Sequence, residues 1–497
     1  RARDIAADAL AGRDTGSNEH EIASLYIATQ LQALGLKPAG DNGSYLQRVP
    51  LRKARLAQDS AKFTLHAAGK NTELSYPKAF FTGPSMQFAE TKVTAPLVFA
   101  GYGLHLPEVG HDDFAGLDLK GKIVVVVSGG PAEISGALKS HARSERGHWL
   151  AAQGAVGMIS LVTPGQVEIP WDRRKALASA PAVYYEDVAM RDTQTPFLNA
   201  QFDPARSADL FAGSGQDFAA IAAAADASKP VASFPLTLRI KAAVAAKRVA
   251  LSSPNLVAVM PGSDPKLAKD YVVLSAHLDG YGVGTPIKGD AIYNGALDNA
   301  SGVASLIEIA KALKASKVKP KRSILFTIVT GEEKGLLGSR YFARRPTVPS
   351  KSIVADLNFD MALPIFKLTS VTPVGYDQSS LGQDAAAVSD AMGLPITPDP
   401  FPDRNVFIRS DQYAFIREGI PALFFKYGFK AGTPEATVEK AWRANIYHSP
   451  FDDANQPVMP AETAKLNDYV TAVTLRVANA DTRPSWNSDS FFKRFVK

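Results

Sequence analysis

The chain has 497 residues, 46% hydrophobic and 21% charged, a length that predicts two domains or three around separate cores. Lys plus Arg exceed Asp plus Glu by 55 − 49, or +6, scattered with no basic stripe and no interleaved aromatics, which argues against nucleic acid as a partner. Cysteine is absent, which excludes disulfides and thiolate metal sites, so any metal must sit on His, Asp and Glu.

In chain order, "NEHEIASLYIATQLQALGL" (18–36) predicts an amphipathic helix with Asn18 as cap. Ile22, Leu25, Tyr26, Thr29 and Ala33 share one face of it, and Gly35 with Pro38 ends it. "GSYLQRVPL" (43–51) predicts a strand. From about 56 to 233, short strands alternate with Gly/Pro turns in "KFTLHAAGK", "APLVFAGYGL" and "GKIVVVVSGG". A helix-to-strand unit follows, "ERGHWLAAQGAVGMISLV" (145–162), and "DFAAIAAAADASKP" (217–230) closes a small β-rich domain. From 234 onward strands alternate with helices: "NLVAVMPG", "YVVLSAH", the helix "SGVASLIEIAKALKAS" (301–316), "RSILFTIVTGEE", "SIVADLNFDM" and "PALFFKYG". The pattern predicts an α/β fold with a mostly parallel or mixed sheet sandwiched by helices.

Ligands bind outside the carboxyl ends of such strands. There the chain places His277 and Asp279, Glu332 and Glu333, and Asp360. Asp298 precedes a helix, and His448 follows the last strand in "IYHSPFDD". Two imidazoles among carboxylates, without a thiol, suit zinc or another divalent metal. Asp298, Glu333 and Asp360 carry −3, and a bridging hydroxide would bring two dications to neutrality, so the charge favours two ions. Asp279, two residues after His277, projects to the same side, where its carboxylate can fix the imidazole tautomer. Adjacent Glu332 and Glu333 point in different directions, so one can bind metal while the other stays free as general base. Taken singly, a strand-end His, a Glu-Glu pair or an Asp before a helix is usually structural; the joint placement carries the signal.

The segments "SAHLD", "GALDNASG", "TGEEKGLLGS", "NFDM" and "IYHSPFDD", in that order, resemble the co-catalytic zinc peptidases that include bacterial leucyl aminopeptidases and glutamate carboxypeptidase. The resemblance implies two Zn²⁺ ions, one held by His277 and Asp360, the other by Glu333 and His448, with Asp298 bridging. It implies Glu332 as general base and acid, Asp279 orienting His277, and a cis peptide after Asp298. "AGYGLHLPEVGHDDFAGLDLKGKIVVVVSGGP" (100–131) is similar to the protease-associated domain inserted in such enzymes. The expected organisation is therefore 1–55 as the first part of the peptidase domain, 56–233 as the insert and 234–497 as the catalytic part. Gly280 and Gln412 stand where many relatives carry histidine, which bears on substrate preference. Tyr281, Tyr293, Tyr427 and Arg409 lie close to the motifs and are candidates for substrate contact.

The expected activity is an aminopeptidase acting on short peptides. A glutamate-type carboxypeptidase is the alternative, with Arg404, Arg409 or Arg443 anchoring a terminal carboxylate. A non-catalytic binding scaffold, as in the transferrin receptor, is the reading from another class, and an intact ligand set argues against it. No apolar run approaches the roughly 20 residues of a membrane span. A first residue other than Met fits an export signal already removed or a chain trimmed otherwise; the first is the expectation, hence a periplasmic or secreted protein, monomer or homodimer. The tail "RPSWNSDSFFKRFVK" (483–497) reads as a segment docked on the surface.

Overall fold

A computed structural model describes every residue except 68, 85–87, 168, 178–179, 192–196 and 402–403, and its chain divides into two units. One comprises Arg1–Leu51 and Leu251–Lys497, the other Arg52–Ala250. Composition sets the divisions near 55 and 233. The units change over at 51/52 and 250/251, because Ser233–Met260 is one unbroken strand that leaves no break in composition.

In the first unit the strand order is Val371–Val374, Ala422–Tyr427, Ile353–Asn358, Tyr271–His277, Ser323–Val329, then residues 256–260 of Ser233–Met260. The inner four are parallel and the two outermost antiparallel, so the sheet is mixed. Alternation decides which face each residue covers. Val272, Leu274, Ala276, Phe326 and Phe425 pack into one core with the helices Ser301–Ala315 and Pro460–Asn479. Val257, Val273 and Leu325 point to the other, under Leu337–Arg344 and Gln412–Ile416. Both faces are therefore covered, as a largely parallel sheet requires. The tail docks on this same unit: Trp486 donates its indole N–H to Gly419 O at 2.9 Å and Phe492 is buried.

The helix Asn18–Ala33 corrects two expectations. Ser17, not Asn18, is the cap, its hydroxyl accepting from His20 N at 3.1 Å. The buried face is His20, Ala23, Ser24, Ile27, Ala28 and Leu31, while Ile22 and Leu25 are exposed at 56% and 52%. The small residues Ala23, Ser24 and Ala28 on the buried face let this helix lie close to the sheet's helical layer.

His20 has 0% exposure and, among the described residues, neither ring nitrogen has a hydrogen-bond partner. Burial, with Arg13 adding to it, lowers its pKa from 6.5 to about 3. The ring stays neutral in the fold and protonates only on unfolding, so stability falls as pH drops from about 6.5 toward 3. Between pH 7 and 4.5 the expected loss is on the order of 2–3 kcal/mol. His20→Leu, which leaves no unpaired polar atom, should flatten that loss in urea titrations at the two pH values. An equal loss in both proteins would contradict it.

In the second unit the order is residues 233–245 of the long strand, Glu90–Ala100, Ile123–Val127, Gly157–Leu161, Leu198–Phe202 and Phe80–Thr82. The hairpin Lys62–Ala67 with Lys70–Leu74 adds to it; residue 68 of the expected strand lies outside the described residues. Phe63, Phe80, Phe99 and Phe202 anchor its core, and Trp149 stacks on Phe114 at 4.6 Å. No helix among the described residues is long and apolar enough to cross a membrane.

Candidate metal centre

Register brings the carriers together. His277 pairs with Val329 and Ser275 with Asn358, so the strand ends leading to Glu332–Glu333 and to Asp360 lie on either side of His277. Asp298 arrives on a turn, Ala296–Ala300, ahead of the helix Ser301–Ala315. Gly295 opens that turn at φ +58°, and a Cβ there would stand 2.4 Å from Asp298 O, so only glycine fits. The Asp298–Asn299 peptide is cis, as the resemblance implied. Asn299 donates Nδ2–H to Phe359 O at 2.8 Å and accepts from Gly302 N at 3.0 Å. His448 sits at φ +54°, a left-handed conformation that a non-glycine residue holds only where its surroundings impose it.

The five side chains form two triads sharing one residue, His277 with Asp298 and Asp360, and Asp298 with Glu333 and His448. His277 Nε2 lies 3.2 Å from Asp298 Oδ1 and 3.5 Å from Asp360 Oδ1. His448 Nε2 lies 3.3 Å from Asp298 Oδ2 and 3.4 Å from Glu333 Oε2. Ligands about 2.0–2.1 Å from a tetrahedral ion stand about 3.3 Å apart, so each triad has the spacing a cation needs. Asp298 offers one oxygen to each histidine. Among the described residues, His277 Nε2 and Asp360 Oδ1 are buried without a well-aligned hydrogen-bond partner, an arrangement that a shared cation would satisfy. The donor set fits zinc.

The electrostatics agree. Burial disfavours a charged His277, yet Glu332, Asp298 and Asp360 raise its pKa well above the ordinary value. Burial likewise opposes ionised Asp298, but both histidines hold it below the usual carboxylate range. Glu332 and Glu333 are pushed well up, by burial first and then by neighbouring carboxylates. An excess of negative charge is crowded here, and positive charge would relieve it.

The surroundings of the triads differ in part from expectation. The partner of His277 Nδ1 is the backbone carbonyl of Asp279 at 3.1 Å, with the Asp279 carboxylate 3.8 Å away. That carboxylate is drawn elsewhere: it accepts from Glu332 N at 3.0 Å and from the Thr15 hydroxyl at 3.1 Å. Tyr281, expected against substrate, puts its hydroxyl 3.2 Å from His448 Nδ1, where it fixes which nitrogen faces Asp298. Tyr293 is buried behind it, donating to Thr285 O at 3.0 Å, because its hairpin closes over the ring. Tyr427 lines a pocket beside Asp360. Arg409 is exposed and donates to Arg404 O at 3.5 Å. Gln412 is fully buried, accepting from Asn358 Nδ2 at 2.7 Å, and Gly280 abuts Gly12 O, so neither is free to select substrate.

Sequence reasoning missed three residues. Arg13, fully buried, donates to Leu278 O at 2.8 Å, to Ile5 O and Asn294 O at 2.7 Å and to Gly295 O at 3.1 Å. It stitches together the loops that carry His277 and Asp298. Asp452 accepts from Leu297 N at 2.9 Å and Asp298 N at 3.0 Å, tying the His448 segment to the same turn. Lys426 stands in the pocket next to Asp360. No spacing pattern announces such long-range partners, although Asp452 falls inside the quoted "IYHSPFDD".

A mixed α/β sheet carries two acid–histidine triads at its carboxyl edge, with the donors and spacing that could hold metal. Residues 255–474 match Peptidase family M28, a likeness in keeping with the motifs. Relatives include Leupeptin-inactivating enzyme 1 of Streptomyces exfoliatus, 30% identical over 172 residues, 34% of each chain. Probable leucine aminopeptidase 2 of Aspergillus oryzae is 34% identical over 181 residues, 34% of this chain and 32% of the other. The chain thus spans about a third of the length of these curated relatives (34% and 32%). Among solved structures, the Aminopeptidase from Aneurinibacillus sp. strain AM-1 shares the fold, with TM-score 0.54 and 21% identity over 95% of this chain and 92% of that one.

Proposed function

We propose that this chain is a zinc-dependent aminopeptidase that removes the N-terminal residue of peptides. His277 and Asp360 would hold one ion, Glu333 and His448 a second, and Asp298 would serve both. The observation that carries the proposal is the pair of triads sharing Asp298 beside an adjacent glutamate, Glu332, that belongs to neither. The name leucine aminopeptidase, printed for a relative, adds support.

When bound, the ions supply Lewis acidity toward the scissile carbonyl and make a water acidic enough to attack near neutral pH. Glu332 takes the proton of the attacking water and returns it to the leaving amine. Its place beside both triads but in neither suits both halves of that task. Asp279 acts on two residues at once: its carbonyl fixes the tautomer of His277, and its carboxylate holds the backbone N–H of Glu332. Tyr281 orients His448 in the same way.

The carboxypeptidase alternative needs a cationic anchor, and two of its three candidates are committed. Arg404 and Arg443 both donate to Glu439 Oε1, at 2.7 and 2.5 Å. On this reading residues 52–250 are a protease-associated insert, and the enzyme works outside the cytosol, a setting with which a chain free of cysteine is compatible.

The test uses leucine p-nitroanilide. Hydrolysis should stop with a chelator and return with zinc, and the N-acetylated anilide should resist. Equal cleavage of the acetylated substrate, or activity indifferent to chelator, would contradict the proposal.

A further inference from the structure

A narrow pocket, partly open to solvent, lies beside Asp360. Its walls are largely apolar, with Leu363, Phe366, Val374, Tyr427 and Phe429 among them. One wall carries Lys426, from the strand Ala422–Tyr427. Lys426 Nζ donates to Met361 O at 3.3 Å, on the residue that follows Asp360. It also lies 4.7 Å from the Phe424 ring.

The carboxylates around Lys426 have contacts of their own, although Glu439 Oε2 and Asp360 Oδ1 have no hydrogen-bond partner among the described residues. Glu439 Oε1 accepts from both Arg404 and Arg443, so that trio is itself net positive. Asp399 Oδ1 accepts from Phe401 N at 2.9 Å. Asp360 belongs to a metal triad. Among the described residues Lys426 makes no ion pair; its ammonium meets a backbone carbonyl and the face of the Phe424 ring. An ammonium largely out of water without a counter-ion is costly, and it lies where a substrate would supply one.

We propose that this pocket takes the acidic side chain of the substrate's N-terminal residue, with Lys426 as its counter-ion. The proposal rests on the aminopeptidase reading and narrows it. Glutamate matches the walls: two methylenes run along apolar surface and end in a carboxylate at the ammonium. Glutamine has nearly the same shape but leaves the cation unpaired, so the site should tell them apart by charge.

The experiment compares Glu-, Gln- and Leu-p-nitroanilide with zinc-loaded enzyme. Anilides carry no terminal carboxylate, so any preference for Glu over Gln belongs to the side chain. The expected kcat/KM ratio of Glu to Gln is at least tenfold in the wild type. In Lys426→Met the ratio should approach one, mainly through KM, and Lys426→Arg should restore part of it. Free glutamate should inhibit the wild type at least tenfold more tightly than glutamine, a readout that stands even where a variant fails to fold. A wild-type ratio near or below one, with Leu-anilide cleaved, overturns this proposal alone. So does a ratio that Lys426→Met leaves unchanged. No cleavage of any anilide contradicts the aminopeptidase reading and this proposal with it.

Discussion

Glu332→Gln is expected to lower kcat on an aminoacyl anilide by roughly 10²–10⁴-fold, the loss that follows removal of a general base. Metal content should stay that of the wild type, because Glu332 belongs to neither triad. The carboxyl is buried among Asp360, Glu333 and Asp411, which raise its pKa against the pull of His277. Glu333→Gln should behave differently and lose metal, since Glu333 lies 3.4 Å from His448 Nε2 in a triad. Near wild-type turnover in Glu332→Gln would sink the assignment, and so would a loss of metal in that variant.

The second large effect concerns Asp298, the residue common to both triads. In the wild type, zinc at about 1,000 times its dissociation constant should stabilise the fold by about 4 kcal/mol per occupied site, about 8 kcal/mol for two, seen as a rise in melting temperature that a chelator reverses. Asp298→Ala should abolish that increment and the activity together. His277→Ala, which disturbs one triad directly, should leave part of the increment. The metal-free variant need be no less stable than the metal-free wild type, because the substitution removes one of several crowded carboxylates. The zinc-dependent increment, not the absolute melting temperature, is therefore the quantity to read. A full increment in Asp298→Ala would contradict the shared-ligand geometry.

Some of this was legible in the sequence for a simple reason. Buried strands are short apolar runs, and a charged residue just beyond one can only sit at the sheet edge. "YVVLSAH" announces His277 and "SIVADLNFD" announces Asp360, and the strands observed are Tyr271–His277 and Ile353–Asn358. Periodicity failed on the helix Asn18–Ala33, where the large residues Ile22 and Leu25 face out and a histidine with small residues faces in. Spacing also put the Asp279 carboxylate toward His277; it could not show that Thr15 and the Glu332 amide would claim that carboxylate and leave the imidazole to the carbonyl. Arg13 and Lys426 were silent because each acts on residues far off in the chain. Arg13 reaches from the N-terminal segment to Leu278 and Gly295.

The most direct measurement is anomalous diffraction at the zinc edge from crystals grown with zinc. The account predicts two peaks in each chain, one against His277 and Asp360, the other against Glu333 and His448, with an Asp298 oxygen on each. A single peak, or zinc bound away from these five side chains, would contradict it.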